Sequence, residues 1–184
     1  MVLCINAVDA ALINGLLTLS KQRLEKALVS GKDGGIDSDG RRCEIAWISH
    51  DEDRHVQSVV NTMADLAKIE NCRAERLQVT RYAEGGEYRP HYDSYDLVTE
   101  RGCRCTGKRG QRIRTALLYL NDNFSGGETK FPRVGLDVIP KRGAVLVFDN
   151  CEVGCTQRDD KSLHAGAPVE RGEKWIATLW FRER

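Results

Sequence analysis

The stretch "RPHYDSYD", residues 89–96, places one histidine and two aspartates within eight positions. Side chains on an extended chain alternate between two faces, so we expect His91 and Asp93 to point to the same side. Asp96 falls on the opposite side by the same rule, and we expect it to be solvated. A pair of this kind also fits an ordinary surface strand, so a metal site here requires a third partner.

The chain has four histidines in all, and one of them is a suitable partner. His50 and His55 lie in the polar stretch "SHDEDRH", where exposure to solvent is expected. His164 lies in "SLHAGAPVERGEKW", between two predicted strands, where glycine and proline fix the course of the backbone. Two imidazoles and one carboxylate form the ligand set that binds non-haem Fe(II) and leaves other coordination positions open. Zinc uses the same ligand types, so both metals remain open at this point.

The periodicity of the chain changes near residue 76. Before it, helical spacing of apolar residues predicts helices over residues 8–28 and 55–69, separated by a Gly- and Asp-rich loop at 31–40. After it come short β-prone runs divided by turn residues: "RLQVTRY", "IRTALLYLN", "GETKFP", "AVLVFDN" and "KWIATLWFRE". This pattern predicts a mainly β protein with N-terminal helices, in the α+β class, built on an antiparallel sandwich or barrel.

Length and charge limit the classes of function. The 184 residues suit a single domain over 1–184, with 1–75 as a helical support region and 76–184 as the core. Lys and Arg total 28 against 27 for Asp and Glu, so net charge provides no general attraction to nucleic acid or to a membrane. No apolar run reaches the roughly 20 residues of a membrane span, and the start has no basic leader. We therefore expect a soluble, cytoplasmic protein without a nucleic-acid or membrane partner.

The seven cysteines are odd in number and cannot all pair within the chain. Three of them are interpreted as small core residues: Cys4, Cys43 and Cys72. The other four form two close pairs, Cys103 with Cys105 and Cys151 with Cys155. These pairs are compatible with a zinc site, with disulfides or with free thiols, and their spacings are looser than the paired C-x2-C of a zinc ribbon.

Three ordered motifs resemble the prolyl 4-hydroxylases among the Fe(II)- and 2-oxoglutarate-dependent dioxygenases. "LQVTRYAEGGEYRPHYD" is similar to the segment that presents the first two metal ligands. "GQRIRTALLYLNDNFSGGETKFP" resembles the central strand and Gly-Gly-Glu-Thr turn of the family, and "LHAGAPVERGEKWIATLWFR" resembles its closing strands. The resemblance covers about residues 76–183 and implies a double-stranded β-helix, or jelly roll, supported by two N-terminal helices.

The resemblance also implies roles for individual residues. His91, Asp93 and His164 would bind the catalytic Fe(II). Lys174, ten positions after His164, occupies the place where the family has the cation that pairs with the distal carboxylate of 2-oxoglutarate. A lysine in a core strand is otherwise unfavourable, because a buried ammonium group is costly unless it is paired.

Four further residues are weaker candidates for the cosubstrate pocket. Tyr82 and Tyr119 match family positions whose hydroxyls reach the cosubstrate. Thr178 points to the same side as Lys174 on a regular strand, and Trp180 continues that face as a wall of the pocket. Threonine, tyrosine and tryptophan are also common strand residues, so the pattern alone does not distinguish the two roles.

The activity implied by the resemblance is hydroxylation of prolyl residues in a peptide or protein, with release of succinate and CO2. Its cofactors would be Fe(II), 2-oxoglutarate and O2, with ascorbate as reductant. Two alternatives stay open: a dioxygenase of the same core that acts on a free amino acid or other small molecule, and a metal- or peptide-binding module without turnover. The sequence does not define the substrate or the oligomeric state.

Residues 94–110 depart most from the family pattern. They are polar, contain glycine and show no apolar periodicity, so we expect a mobile lid that closes over the substrate. Four basic residues in this segment are candidates for selecting acidic or backbone-rich peptides: Arg101, Arg104, Lys108 and Arg109.

Overall fold

The computed structural model describes residues 1–27, 29–30, 35–36 and 40–184. The helices are α1 (Ala10–Lys21), α2 (Arg54–Ala67) and α3 (Glu100–Thr106), with 3-10 turns at Asn71–Arg73 and Asp160–Ser162. The strands are β1 (Val2–Cys4), β2 (Glu25–Lys26), β3 (Val29–Ser30), β4 (Gly35–Ile36), β5 (Glu44–Ile48), β6 (Leu77–Tyr82), β7 (Tyr88–His91), β8 (Arg112–Tyr119), β9 (Ser125–Gly126), β10 (Thr129–Phe131), β11 (Leu136–Val138), β12 (Val145–Asp149), β13 (His164–Gly166), β14 (Val169–Arg171) and β15 (Lys174–Arg182).

Two antiparallel sheets form the body of the fold. The major sheet has the order β1-β12-β8-β15-β6-β5-β2, and the minor sheet has the order β11-β10-β13-β7. Residues from β6, β8 and β15 line one cavity together with residues from β7, β10 and β13, so the sheets face each other across it. This arrangement confirms the predicted jelly roll.

Strand β15 shows how the sequence produces this layering. All nine of its residues are buried, as expected for a central strand with both faces covered. Lys174 and every second residue after it as far as Trp180 line the cavity between the sheets. The residues between them, Trp175 to Phe181 in steps of two, belong to the core that packs against the helices.

The two N-terminal helices cover the outer face of the major sheet. Helix α2 confirms the predicted stripe, since its apolar positions are buried in that core: Val56, Val59, Val60 and Met63. Helix α1 begins after Asp9, whose carboxylate accepts a hydrogen bond of 2.9 Å from Leu12 N. It ends at Lys21 rather than at residue 28, because the chain then forms the edge strand β2.

The N-terminal region is not only helical, which corrects the expectation for residues 1–75. Strands β1, β2 and β5 all join the major sheet, and β5 pairs along its whole length with β6. The loop predicted at 31–40 lies largely outside the described residues. Among the described helices, none is long and apolar enough to cross a membrane.

The cysteines are all free thiols. Cys4 and Cys43 are half-buried, whereas Cys72 is exposed, so its interpretation as a core residue was wrong. The four cysteines at 103, 105, 151 and 155 form no disulfide, and the metal-ligand group found within the described ranges contains none of them. The expected solvation of His50 and His55 was also wrong: both are half-buried, and His50 Nε2 donates to Glu75 O at 2.7 Å.

Candidate functional site

The three predicted metal ligands lie together at one end of the minor sheet. His91 ends β7 and stands opposite His164, the first residue of the neighbouring strand β13. Asp93 lies in the bend just after β7, and its Oδ1 and Oδ2 are 3.7 Å from the Nε2 atoms of His91 and His164 respectively. The ligand atoms lie within 4.8 Å of one another, as they must if each is to reach one ion at about 2 Å. Asp96 is exposed, as expected.

Backbone carbonyls set the tautomer of both imidazoles. His91 Nδ1 is 2.8 Å from Arg89 O, and His164 Nδ1 is 2.9 Å from Ser162 O. A carbonyl oxygen only accepts, so each Nδ1 carries the hydrogen and each Nε2 presents a lone pair to the centre of the group. Burial, together with the nearby His164, lowers the pKa of His91 to about 3. The His91 ring is therefore neutral near pH 7, as a metal ligand must be.

The carboxylate ligand is held by a buried hydrogen-bond chain. Thr115 Oγ1 donates to Asp93 Oδ2 at 2.7 Å, and Asn150 Nδ2 donates to Thr115 Oγ1 at 2.9 Å. Burial alone would raise the pKa of Asp93, but His164, His91 and the Thr115 hydroxyl hold it below its usual range. The site thus presents an ionised carboxylate beside the His91 and His164 imidazoles, a donor set that fits Fe(II).

Lys174 is a buried cation that faces the same cavity. It is 2% exposed, and within the described ranges its Nζ forms no hydrogen bond or ion pair. The centroid of the Tyr82 ring lies 5.5 Å from Nζ. Burial lowers the pKa of Lys174 to about 8, against an opposing effect of Glu128. The ammonium group is still largely charged at pH 7, so its surroundings favour an anionic ligand, and a carboxylate of 2-oxoglutarate fits this requirement.

Glycines leave room beside this lysine. A Cβ atom on Gly127 would lie 3.2 Å from Lys174 Cδ, and one on Gly166 would lie 3.8 Å from Lys174 Nζ. Gly127 also has a positive φ of 67°, which disfavours other residues. The Gly-Gly turn noted in the sequence therefore gives the lysine side chain space to reach the cavity.

The four weaker candidates differ in their positions. Tyr82, Thr178 and Trp180 are buried and line the cavity. Tyr119 is fully buried and does not line it. The Tyr119 hydroxyl donates to Thr129 Oγ1 at 2.8 Å, and Thr129 does line the cavity. The Tyr119 hydroxyl is thus linked to the cavity through Thr129, and its contact with a cosubstrate stays a prediction.

Arg112 is a cavity residue that sequence reasoning missed. Its Nε and Nη2 each donate to Glu75 at 2.7 Å, and its guanidinium lies 4.0 Å from the centroid of the Trp180 ring. Regular alternation of side chains along β8 would place Arg112 on the face of the sheet that packs against the helices. Pairing with β15 instead shifts register between Phe181 and Arg182, so β8 contains an extra residue at Ile113. This bulge turns Arg112 to the cavity side.

The segment 94–110 is held more firmly than its sequence indicates, and it contains helix α3. Gln111 binds both backbone groups of Tyr95: Nε2 donates to Tyr95 O, and Oε1 accepts from Tyr95 N, each at 2.8 Å. Arg182 Nη2 donates to Cys105 O at 2.5 Å near the end of α3, and Arg158 Nη2 donates to Ser94 O at 2.9 Å. These polar contacts tie the segment to the core although its sequence has no apolar periodicity.

Of the four basic residues in that segment, Arg101 lines the cavity. Arg109 instead donates to Ala74 O at 2.8 Å, a contact that fastens the segment to the chain before β6. Arg104 and Lys108 are not among the lining residues. Three arginines and three aromatic residues outside the segment line the cavity as well and were not predicted: Arg41, Arg112, Arg158, Trp47, Tyr88 and Tyr92.

Comparisons with known proteins agree with this geometry. The model of the 2OG-Fe(II) oxygenase superfamily matches residues 77–182. Prolyl 4-hydroxylase subunit alpha-1 of Rattus norvegicus is 36% identical over 168 residues, which cover 90% of this chain and 31% of that protein. Prolyl 4-hydroxylase 5 of Arabidopsis thaliana is 34% identical over 189 residues, 90% of this chain and 62% of that protein. The chain thus spans less than two-thirds of either relative.

A solved structure shows the same fold. The viral collagen prolyl hydroxylase of Paramecium Bursaria Chlorella virus-1, in complex with 2OG, superposes with a TM-score of 0.77 at 25% identity. The alignment covers 98% of this chain and 94% of that one. The family match covers more than half of the chain and includes the His-Asp-His group, and the named relatives are prolyl hydroxylases. The chain therefore belongs to the 2OG-Fe(II) oxygenase superfamily and, within it, to the prolyl 4-hydroxylase family.

Proposed function

We propose that this chain is an Fe(II)- and 2-oxoglutarate-dependent dioxygenase that hydroxylates prolyl residues in a peptide or protein. The observation that carries the proposal is that three metal ligands and an unpaired buried lysine line one cavity. A structural metal site would need neither an open coordination position nor a second buried charge beside it. The names of its relatives support the choice of proline as the target.

In this proposal His91, Asp93 and His164 hold the iron, and Lys174 binds the distal carboxylate of 2-oxoglutarate. When bound, iron and 2-oxoglutarate would supply the activation of O2. Each turnover would convert one 2-oxoglutarate, one O2 and one C–H bond of the substrate to one succinate, one CO2 and one C–OH bond. The protein contributes placement and exclusion of water. Leu117 and Ile176 also line the cavity and give it apolar surface suited to the methylene groups of the cosubstrate.

The rest of the cavity suits an extended prolyl peptide. Its volume is about 740 Å³, and aromatic residues form much of its wall: Trp47, Tyr88, Tyr92, Tyr95 and Trp180. Prolyl rings pack well against aromatic faces, and proline-rich chains already populate the extended polyproline conformation, which reduces the entropy cost of binding. Arg112 directs Nε and Nη2 to Glu75, and its Nη1 has no hydrogen-bond partner among the described residues. We propose that Nη1 donates to a carbonyl of the peptide.

A peptide screen tests the proposal. Purified protein would be incubated with Fe(II), 2-oxoglutarate and O2, with and without ascorbate, and with proline-rich peptides. Mass spectrometry should show a gain of 16 Da on proline in the peptide and a matching amount of succinate. Asp93→Ala should form neither product. Turnover of free proline or a nucleobase, with every prolyl peptide left unchanged, would overturn the proposal.

A further inference from the structure

We infer that the preferred substrate carries carboxylates next to the target proline, and that Arg41 and Arg158 recognise them. This inference rests on the proposed function and specifies the class of peptide. It starts from the charged residues that line the cavity: Glu25, Lys26, Arg41, Asp93, Asp96, Arg101, Arg112, Arg158 and Lys174. Asp93 and Lys174 belong to the proposed iron and cosubstrate sites, and Arg112 is paired with Glu75.

The remaining arginines have no carboxylate partner. Within the described ranges, no ion pair is formed by Arg41, Arg101 or Arg158, whereas most arginines of the strands are paired, such as Arg81 with Glu44. Asp96 uses its carboxylate to accept a hydrogen bond from Val98 N at 3.2 Å. The part of the cavity beyond the metal ligands therefore has more positive than negative groups, and Arg41, Arg101 and Arg158 are available for an anionic ligand.

Arg41 is positioned by residues next to His91. Its guanidinium lies 4.7 Å from the centroid of the Tyr88 ring, and Tyr88 itself stacks on His91 with centroids 3.5 Å apart. Arg41 Nη2 donates to Gln78 Oε1 at 2.7 Å, which is a neutral acceptor. Arg41 Nε is buried and has no hydrogen-bond partner in the part of the chain that the structure describes. The side chain is thus fixed in position with part of its hydrogen-bonding capacity unused.

Arg158 is positioned by residues next to Asp93. Its Nη2 donates to Ser94 O at 2.9 Å, in the residue directly after the ligand, and its guanidinium lies 4.4 Å from the centroid of the Tyr92 ring. Both arginines are therefore preorganised on aromatic rings adjacent to metal ligands. A peptide that presents its proline to the iron would pass near both guanidinium groups, and carboxylates flanking the proline would pair with them.

The test measures binding without turnover. Holoenzyme with Fe(II) and 2-oxoglutarate under anaerobic conditions would be titrated with fluorescent proline-rich peptides, capped at both ends, that differ only in having Glu, Gln or Lys beside the proline. We expect the Glu peptide to bind about tenfold more tightly than the Gln peptide at low salt, and this advantage to decrease as salt screens the charges. A Gln peptide with a free C-terminal carboxylate distinguishes recognition of a chain end from recognition of side chains.

Variants locate the effect. Arg41→Gln and Arg158→Gln should each reduce the preference for Glu over Gln, and their melting temperatures would show whether they fold. Arg171→Gln is the matched control, because Arg171 is exposed and lies outside the cavity. Equal binding of the Glu and Gln peptides, tighter binding of the Lys peptide, or stronger competition by a single-stranded oligonucleotide would overturn the inference.

Admitting O2 to the same samples starts turnover, so the proposed function is tested separately from the binding preference. If the Glu peptide binds preferentially but no hydroxyproline forms, the proposed function fails and the recognition of carboxylates remains. If all peptides are hydroxylated with equal efficiency and bind equally, the function remains and the inference fails.

Discussion

Lys174→Met should make the ligand-free protein more stable while removing its affinity for 2-oxoglutarate. Methionine has a similar shape and no charge, so it keeps the packing and removes a buried ammonium group that forms no ion pair with any described residue. Burial lowers the pKa of Lys174 from its ordinary value of 10.5 to about 8. At about 1.4 kcal/mol for each pH unit of difference, the charge costs the folded state about 3 kcal/mol near pH 7.

The stability difference between Lys174→Met and the wild type should depend on pH in a defined direction. Below pH 8 the lysine is protonated in both the folded and the unfolded chain, so the full cost is present. Between about pH 8 and 10.5 the unfolded chain binds a proton that the folded chain has released, so the stability of the wild type rises with pH. Above that range both states are neutral and the cost disappears. The stability advantage of Lys174→Met should therefore be largest near pH 7 and become small near pH 10.5.

Urea unfolding of metal-free, reduced protein at several pH values from 7 to 10.5 measures this difference. Only the difference between variant and wild type is informative, because it cancels the titration of the other groups. Lys161→Met, at an exposed position, is the control and should change stability little. Adding 2-oxoglutarate with a metal should stabilise the wild type but not Lys174→Met. A variant that is less stable at pH 7, or a difference that does not change with pH, would refute the reasoning.

Three further changes test contacts around the site. Thr115→Val removes the hydroxyl that donates to the carboxylate ligand, so Fe(II) affinity measured by titration should fall by about tenfold to a hundredfold while the melting temperature changes little. Glu75→Gln loosens the paired Arg112 and should raise the KM for peptide without raising that for 2-oxoglutarate; equal increases would contradict a positioning role. Gln111→Ala releases the backbone that it clamps, so limited trypsin digestion should cut residues 94–110 faster than in the wild type.

The sequence predicts those parts of the fold that depend on local periodicity. The alternation in "KWIATLWFRE" gives β15 with its two distinct faces, and the stripe in "HVQSVVNTMADLAKI" gives α2. Strand β5 was not predicted because five residues carry little periodic signal and their pairing partner, β6, lies about 30 residues further along the chain. Edge strands such as β1 are formed by long-range pairing, which a local pattern does not contain.

The same distinction applies to the candidate site. The grouping of His91, Asp93 and His164 could be predicted, because these residue types bind metals and the residues lie beside predicted strands. The burial of Lys174 could be predicted from its place in an apolar strand. The polar contacts that hold residues 94–110 come instead from Gln111 and Arg182, which are distant in sequence from some of their partners. Nothing in the composition of a polar loop distinguishes one that is clamped from one that is free.

The bulge at Ile113 shows why the substrate side of the cavity was the least predictable part. One extra residue in β8 places Arg112 beside Thr115 on the cavity side, where it meets Glu75 and the Trp180 ring. Glu75 Oε1 also lies 3.3 Å from Arg182 Nη1, and Arg182 binds the end of α3. The proposed peptide contact and the segment that borders the cavity therefore share one carboxylate. Because each partner of a buried charge pair depends on the other, a change in either arginine is expected to alter both peptide binding and the position of α3.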